Sequence, residues 1–360
     1  MPEWLRDHTS FRIGGPAGRW VEATTEGQIL ETVRACDASG EPLLILSGGS
    51  NLLVSDAGFP GTVLKIATRG IRAEASFCEF DADAVDGPLG SGPAACGGYT
   101  VTVAAGEEGD DFVAYAVAHE LVGVEALSGI PGLVGATPIQ NVGAYGQEVS
   151  QTIWNVRTYD RATAAVRTFA NADCGFGYRH SRFKAEPGRY VVLEVTFQLT
   201  QGSLSAPIRF GELARRLGVE GGQRAPLGLV REAVLDLRRG KGMVADPDDH
   251  DTWSAGSFFT NPILDADVAA ALPEDAPRFP QPDGRVKSSA AWLIERAGFG
   301  RGFGNERTSL STKHTLALTN RGTASAADVV ALARTVRDGV RDRFGVTLVP
   351  EPVLVGVSLD

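Results

Sequence analysis

The sequence predicts an α+β protein of two or three domains, and three observations carry that expectation. Short apolar runs bounded by Gly and Pro alternate with segments of helical periodicity along the chain. Two stretches, 47–51 and 128–146, contain no charged residue and are dense in glycine, as a backbone pressed close to a ligand would be. At 201–207 the texture changes to small and polar residues, and a domain boundary is expected there. The 360 residues exceed a single domain of about 150 residues.

Taken in order, HTSFRIGGPAGRW (8–20) sets a Gly-Gly-Pro turn between apolar residues. The spacing of Ile29, Leu30, Val33 and Cys36 predicts a helix over 25–38. The run Pro-Leu-Leu-Ile-Leu-Ser at 42–47 reads as a buried strand that ends in Gly48-Gly49-Ser50-Asn51, and 61–66 as another strand. A β region over 71–105 is broken by DGPLGSGPAACGG (86–98), a hairpin tip or insertion. Asp110 is placed to cap a helix reaching 121, with Phe112, Val113, Ala116 and Val117 inward. Strands follow at 153–159 and 190–199. In the second, Val191, Leu193, Val195, Phe197 and Leu199 alternate with Glu194, Thr196 and Gln198, which predicts one buried face. Beyond the boundary come helices over 227–239 and 288–297, each stopped by Gly, and a strand over 314–319. A long helix opens with the capping box Ser325/Asp328 and turns Val329, Ala333, Val336, Val340 and Phe344 inward. A last strand, 353–357, follows Pro350-Glu351-Pro352.

Forty-four acidic against 34 basic residues give a net charge of −10, which disfavours non-specific nucleic-acid binding and leaves small anionic ligands to local basic groups. Cys36, Cys78, Cys96 and Cys174 form no CxxC pair and no His-rich cluster, so free thiols in a reducing compartment are expected and no metal site. MPEWLRDHTS holds no apolar signal core, and no run reaches the ~18–20 apolar residues of a span. A cytoplasmic protein with no membrane partner is expected.

The turn at 47–51 lets successive backbone N–H groups face one concavity, a nest for phosphate oxygens, with hydroxyls and the Asn51 amide as further donors. A strand-ending turn fits the same residues. Neither GxGxxG nor GKS/GKT is present at this turn. In 128–146 the glycines at 129, 132, 135, 143 and 146, with Pro131 and Pro138, suit a backbone lying along a large flat cofactor or a string of tight turns. Together the two stretches would accommodate a dinucleotide, one at its pyrophosphate and the other along the rest.

Six blocks, HTSFRIGG, LSGGSNLLVSD, the 128–146 stretch, CGFGYRHSRFK (174–184), GSFFTNP (256–262) and LVPEPVLVG (348–356), occur in the order found in the UDP-N-acetylenolpyruvoylglucosamine reductase family, which the chain closely resembles over nearly its whole length. The resemblance implies a vanillyl-alcohol-oxidase-like (PCMH-type) FAD-binding domain of two α/β subdomains over 1–206, split near 70. A separate α/β substrate domain would follow over 207–345, and a C-terminal strand over 346–360 would return to the active site. It implies reduction of enolpyruvyl-UDP-GlcNAc to UDP-N-acetylmuramate, with NADPH as hydride donor and both reactants using one site in turn. A monomer is expected. Another FAD oxidoreductase of the same superfamily is the alternative, against which GSFFTNP and PEP both speak.

By the resemblance, Ser47, Gly48, Gly49, Ser50, Asn51 and Leu52 hold the FAD pyrophosphate. Ile130, Pro131, Gly132, Gly135, Ala136, Pro138, Gln140, Asn141 and Gly143 run along the ribityl chain and isoalloxazine. No His or Cys lies in 43–55, so FAD is expected to be non-covalent. Arg179 would bind the substrate carboxylate, a task that suits a permanently protonated, bidentate donor. Ser257 would protonate the substrate, and Glu351 would sit beside the reacting double bond. Tyr145, Tyr178, Phe210, Lys241 and Asn261 would contact substrate, while His180 is read as structural. Phe210 stands where relatives carry a tyrosine, and Thr260 where a lysine is common.

Overall fold

The computed structural model describes residues 2–76 and 98–360. All of the 86–98 insertion but Gly98 lies outside the described residues, as do Cys78 and Cys96. The chain divides into two compact units, one of Met1–Val21, Glu41–Leu64 and Arg238–Asp360, the other of Glu22–Gly40 and Lys65–Leu237.

The first unit carries a three-stranded sheet in the order Ala17–Ala23, Phe59–Ile66, Leu43–Leu46. Leu46, Val54 and Val63 bury together on it with Leu5 and Ala17. The larger core of this unit forms against the helix Ala326–Phe344. Its Val329, Ala333, Val336 and Val340 recur at helical spacing and are fully buried, packed with Phe258, Phe259, Leu310 and Leu318. The expected Ser325/Asp328 capping box is present. Asp56, the last residue of LSGGSNLLVSD, adds its carboxylate to the same helix start, accepting from the Ala326 N–H at 3.0 and 3.1 Å. Negative charge is favoured there by the helix dipole. The strand expected over 314–319 is shorter, Leu318–Asn320, because Ala317 N–H bonds back to His314 C=O and makes 314–317 a turn. The tail strand Val353–Val355 runs parallel to Leu52–Val54, with Val353 opposite Leu52.

The second unit holds an antiparallel sheet ordered Ala165–Ala170, Ile153–Asp160, Tyr190–Gln201, Gly98–Ala104, Ile71–Ser76. The alternation along 190–199 predicts one buried face, yet Val192 and Thr196 are buried along with Val191, Val195 and Phe197. The face of Val192 and Thr196 is only partly covered, since Glu194 is half-buried and Gln198 exposed, and Thr196 satisfies its hydroxyl against that of Thr102 on the neighbouring strand at 3.1 Å. The helix Glu26–Ser39 has its capping box at Thr25/Gln28 and ends on Gly40 at φ 71°. Glu26 grips Arg157 of the sheet bidentately at 2.6 and 2.8 Å. The helix expected to be capped by Asp110 is Gly109–Ala118, and its cap position is Glu108; the Asp110 carboxylate is directed elsewhere.

Asp160 ends its strand with a fully buried carboxylate. Arg189 bonds it through Nε and Nη2, both at 2.9 Å, and Ala162 N–H donates at 3.1 Å. The arginine bond outweighs desolvation and lowers the carboxyl from its ordinary 3.8 to about 2. A depressed carboxylate stabilises fully above its unfolded value and loses that contribution as pH falls through the folded one. In urea titrations, the stability gap between wild type and Asp160→Asn should stay constant above pH 3.8 and narrow between there and about 2. A gap that widens on acidification would contradict the assignment. Among the described residues, no helix is long and apolar enough to cross a membrane.

Candidate active site

The loop after Leu43–Leu46 packs against the N-terminal motif in the first unit. Gly49 is buried at φ 63°, and a Cβ there would fall 1.8 Å from the His8 carbonyl oxygen, so the position admits only glycine. Ser10 clamps it, donating from N–H to Gly49 C=O at 3.1 Å and from Oγ to Ser50 C=O at 3.2 Å. Ser47, Gly48, Ser50, Asn51 and Leu52 are half-buried. Small neutral donors on a glycine turn are the chemistry a pyrophosphate requires, so this loop fits the phosphate end of a dinucleotide.

The 128–146 segment lies in the second unit and is built from tight turns, with short 3-10 helices at Glu125–Leu127 and Val134–Ala136. It follows 105–110 closely. Gly135 N–H bonds to Ala105 C=O at 2.9 Å, Val134 N–H to Glu107 C=O at 2.8 Å, and Gly109 N–H to Gly132 C=O at 2.8 Å. A Cβ on Gly135 would lie 2.5 Å from that of Ala105, which is why glycine stands there. Ile130, Gly132, Ala136, Gln140 and Gly143 are half-buried, Pro138 is buried and Pro131 is exposed. Asn141 is buried at φ 50°, and its amide is engaged internally, by Glu148 at 2.8 Å, Gly177 C=O at 3.0 Å and Ser150 N–H at 3.1 Å.

CGFGYRHSRFK is laced to this segment. Gly177 and His180 exchange two backbone bonds, at 3.0 and 3.2 Å, which puts Tyr178 and Arg179 at the tip of a two-residue turn. Arg179 takes φ 50° there. Its Nη2 donates to Gly143 C=O at 2.9 Å and Nη1 to Asn141 C=O at 3.4 Å, with the guanidinium 5.5 Å from the Tyr178 ring centre. The neighbouring cations have structural positions. Arg182 lies over Phe169 at 4.9 Å, and Lys184 Nζ donates to Arg179 C=O at 3.1 Å. His180 is exposed. Cys174 is buried and its thiol is pushed up to about 12 by desolvation, so it is inert as a nucleophile.

Ser257 and Glu351 belong to the first unit, and the residues after Ser257 pair with those around Glu351 through their backbones. Glu351 N–H donates to Phe258 C=O at 2.8 Å, Thr260 N–H to Val349 C=O at 3.1 Å, and Phe259 pairs antiparallel with Pro350. Gly256 at φ 69° turns the chain into this pairing, and Phe258 and Phe259 are buried beneath it. Asn51 joins the same set: its amide donates to Glu351 C=O at 3.4 Å, and Val353 N–H donates to Asn51 C=O at 2.9 Å. Asn51, Phe258 and Glu351, far apart in sequence, are thus joined by hydrogen bonds, and Ser257 is the residue immediately before Phe258.

The remaining sequence-predicted residues divide by unit. Tyr145, at φ 49°, meets exposed Phe210 edge to face with ring centres 5.4 Å apart. Asn261 Oδ1 accepts from Ala290 N–H at 2.9 Å, at the start of the helix Ala290–Arg296. Lys241 is half-buried one residue past the helix Leu227–Gly240, where buried Arg238 donates to Met243 C=O at 2.9 Å. Two contributors are assigned no role from the sequence, although the first lies within the HTSFRIGG block. One is the Ser10 clamp, whose role depends on chain folded back from Gly49. The other is Asp251, a buried member of a loop that looks merely acidic. It accepts from Thr312 N–H at 3.0 Å and Arg321 Nη1 at 2.8 Å, and so fixes the loop that leads to Ser257.

A family model described as FAD binding domain matches residues 17–168, and one described as UDP-N-acetylenolpyruvoylglucosamine reductase, C-terminal domain, matches 246–355. The chain is 58% identical to the UDP-N-acetylenolpyruvoylglucosamine reductase of Cutibacterium acnes, over 98% of this chain and 89% of that one. To the enzyme of the same name from Streptomyces coelicolor it is 55% identical, over 98% and 88%. Its fold is similar to the crystal structure of UDP-N-acetylenolpyruvylglucosamine reductase from Thermus caldophilus, with TM-score 0.63 at 23% identity, covering 99% of this chain and 98% of that one.

Proposed function

The chain belongs to the UDP-N-acetylenolpyruvoylglucosamine reductase family, and from that membership we infer its reaction and the division of labour among its residues. It is an NADPH-dependent flavoprotein oxidoreductase that reduces enolpyruvyl-UDP-GlcNAc to UDP-N-acetylmuramate, a step of peptidoglycan precursor synthesis. Bound FAD would supply the hydride chemistry that links NADPH oxidation to reduction of the substrate's enol-ether double bond.

Ser47, Gly48, Gly49, Ser50, Asn51 and Leu52 would hold the FAD pyrophosphate, and Ile130 through Gly143 would lie along the remainder of the cofactor. FAD is non-covalent. Arg179, whose fork is oriented by the carbonyls of Asn141 and Gly143, holds the substrate carboxylate and balances the charge that develops beside it. Ser257 donates a proton to the carbon next to that carboxylate. A hydroxyl is a weak acid, but this carbon becomes strongly basic once hydride has added to its neighbour. Glu351, placed by its prolines and by the bond to Phe258, sits beside the reacting double bond. Tyr145, Tyr178, Phe210, Lys241 and Asn261 contact the nucleotide-sugar.

The hydrogen bonds joining Asn51, Glu351 and Phe258, the neighbour of Ser257, are the observation that carries the reading, because they link a phosphate-type loop to a carboxylate and to the segment that holds the acid. By ligand, residues 1–206 serve FAD, 207–345 the substrate and 346–360 the return to the site, a division that does not follow the two compact units. The enzyme acts as a cytoplasmic monomer supporting cell shape and division. Purified protein should absorb as a flavoprotein, and enolpyruvyl-UDP-GlcNAc should accelerate its NADPH oxidation. A colourless protein unable to take up FAD would sink the assignment. Flavin that NADPH reduces but this substrate never reoxidises would sink the substrate alone.

A further inference from the structure

We propose that Asp110, locked by Arg231, is a positioning residue for the flavin, fixing the turn at 129–132. The proposal rests on the FAD reading above. Asp110 sits in the first turn of the helix Gly109–Ala118. Its Oδ1 accepts from Gly129 N–H at 2.6 Å and from Arg231 Nη1 at 2.6 Å, and its Oδ2 accepts from Arg231 Nη2 at 2.8 Å.

Gly129 is buried at φ 73° and opens the segment assigned to the flavin. Three residues on, Gly132 C=O accepts from Gly109 N–H at 2.8 Å. Ile130 and Pro131 are therefore suspended between two anchors that come from adjacent residues, 109 and 110. Downstream the segment is held by backbone bonds at Glu107 and Ala105, which do not depend on side-chain identity. At Gly129 a side-chain carboxylate supplies a hold that one substitution can release. Bidentate pairing with the largely buried Arg231 holds that carboxylate in one orientation. The start of its own helix favours the negative charge as well. An ion pair that served only to join Arg231 to the helix would not require Oδ1 to be shared with Gly129.

The test uses purified holoenzyme stripped of FAD and retitrated by quenching of flavin fluorescence, with thermal unfolding of each apoprotein in parallel. Asp110→Ala should weaken FAD binding roughly tenfold or more and shift the visible flavin spectrum. Asp110→Asn, which keeps an acceptor for Gly129, should lie closer to wild type and serves if the alanine variant does not fold. The exchange of Asp110→Arg with Arg231→Asp rebuilds the ion pair without the Gly129 acceptor. It should recover thermal stability and leave FAD affinity low. Recovered affinity in the exchange, or wild-type affinity and spectrum in folded Asp110→Ala, overturns the proposal. Wild-type protein that takes up no FAD overturns the cofactor reading and this proposal with it.

Discussion

Ser257→Ala is expected to leave reduction of the bound flavin by NADPH at its wild-type rate and to slow the substrate half-reaction by about 10²–10⁴-fold. The two halves separate because only the second needs a proton at carbon. The substitution removes one oxygen and leaves the backbone pairing intact: Phe258 still accepts from Glu351 N–H, and the buried rings of Phe258 and Phe259 still support the turn. The loss is thus chemical and not structural. Stopped-flow absorbance follows both halves on one sample, by bleaching with NADPH alone and recovery on adding enolpyruvyl-UDP-GlcNAc. Equal slowing of both halves would remove Ser257 from the role of acid.

The second large effect is expected at Gly49. Alanine there must take φ 63° with its Cβ 1.8 Å from the His8 carbonyl oxygen, an overlap with backbone that no rotamer relieves. The conformation alone costs on the order of 1–3 kcal/mol, and the overlap adds to it by forcing the loop from Ser10. Gly49→Ala should purify depleted in flavin and unfold at lower urea than wild type. Gly40→Ala is the matched control: φ is 71° but nothing lies within 4 Å of the new Cβ, so it carries the strain without the collision and should retain FAD. Equal flavin content and stability in both variants would show that the collision is absorbed and the loop is not constrained as described.

The elements with one strong local signal were legible in the sequence. The apolar spacing and capping box of the Ala326–Phe344 helix needed no partner to be recognised, nor did the strand at Leu43–Leu46, although it is an edge strand with only Leu46 buried rather than the buried strand expected. Errors arose where tertiary context overrode local pattern. Thr196 reads as solvent-facing until Thr102 of the neighbouring strand is brought to its hydroxyl, and Asp110 reads as a helix cap until Gly129 and Arg231 are brought to its carboxylate. At the site, residue types and spacing marked the two glycine-rich stretches without saying what they bind. Arg179, Ser257 and Glu351 are single residues with common structural uses, and only the resemblance of the ordered motifs singled them out. Ser10 and Asp251 are assigned no role from the sequence, since their function is to hold backbone that is distant in sequence.

The parallel pairing of Val353–Val355 with Leu52–Val54 bears on how the enzyme is made. The loop at 47–52 leaves the ribosome early, whereas the strand beside it and Glu351 emerge some 300 residues later, the separation spanned by the Asn51–Glu351 bond. Translation must pass 355 before that edge is covered, so during synthesis Leu52–Val54 is an unpaired hydrophobic strand open to chaperones or to a neighbouring nascent chain. A chain cut short before Glu351 would lose the carboxylate proposed for catalysis and the cover of that edge in the same event.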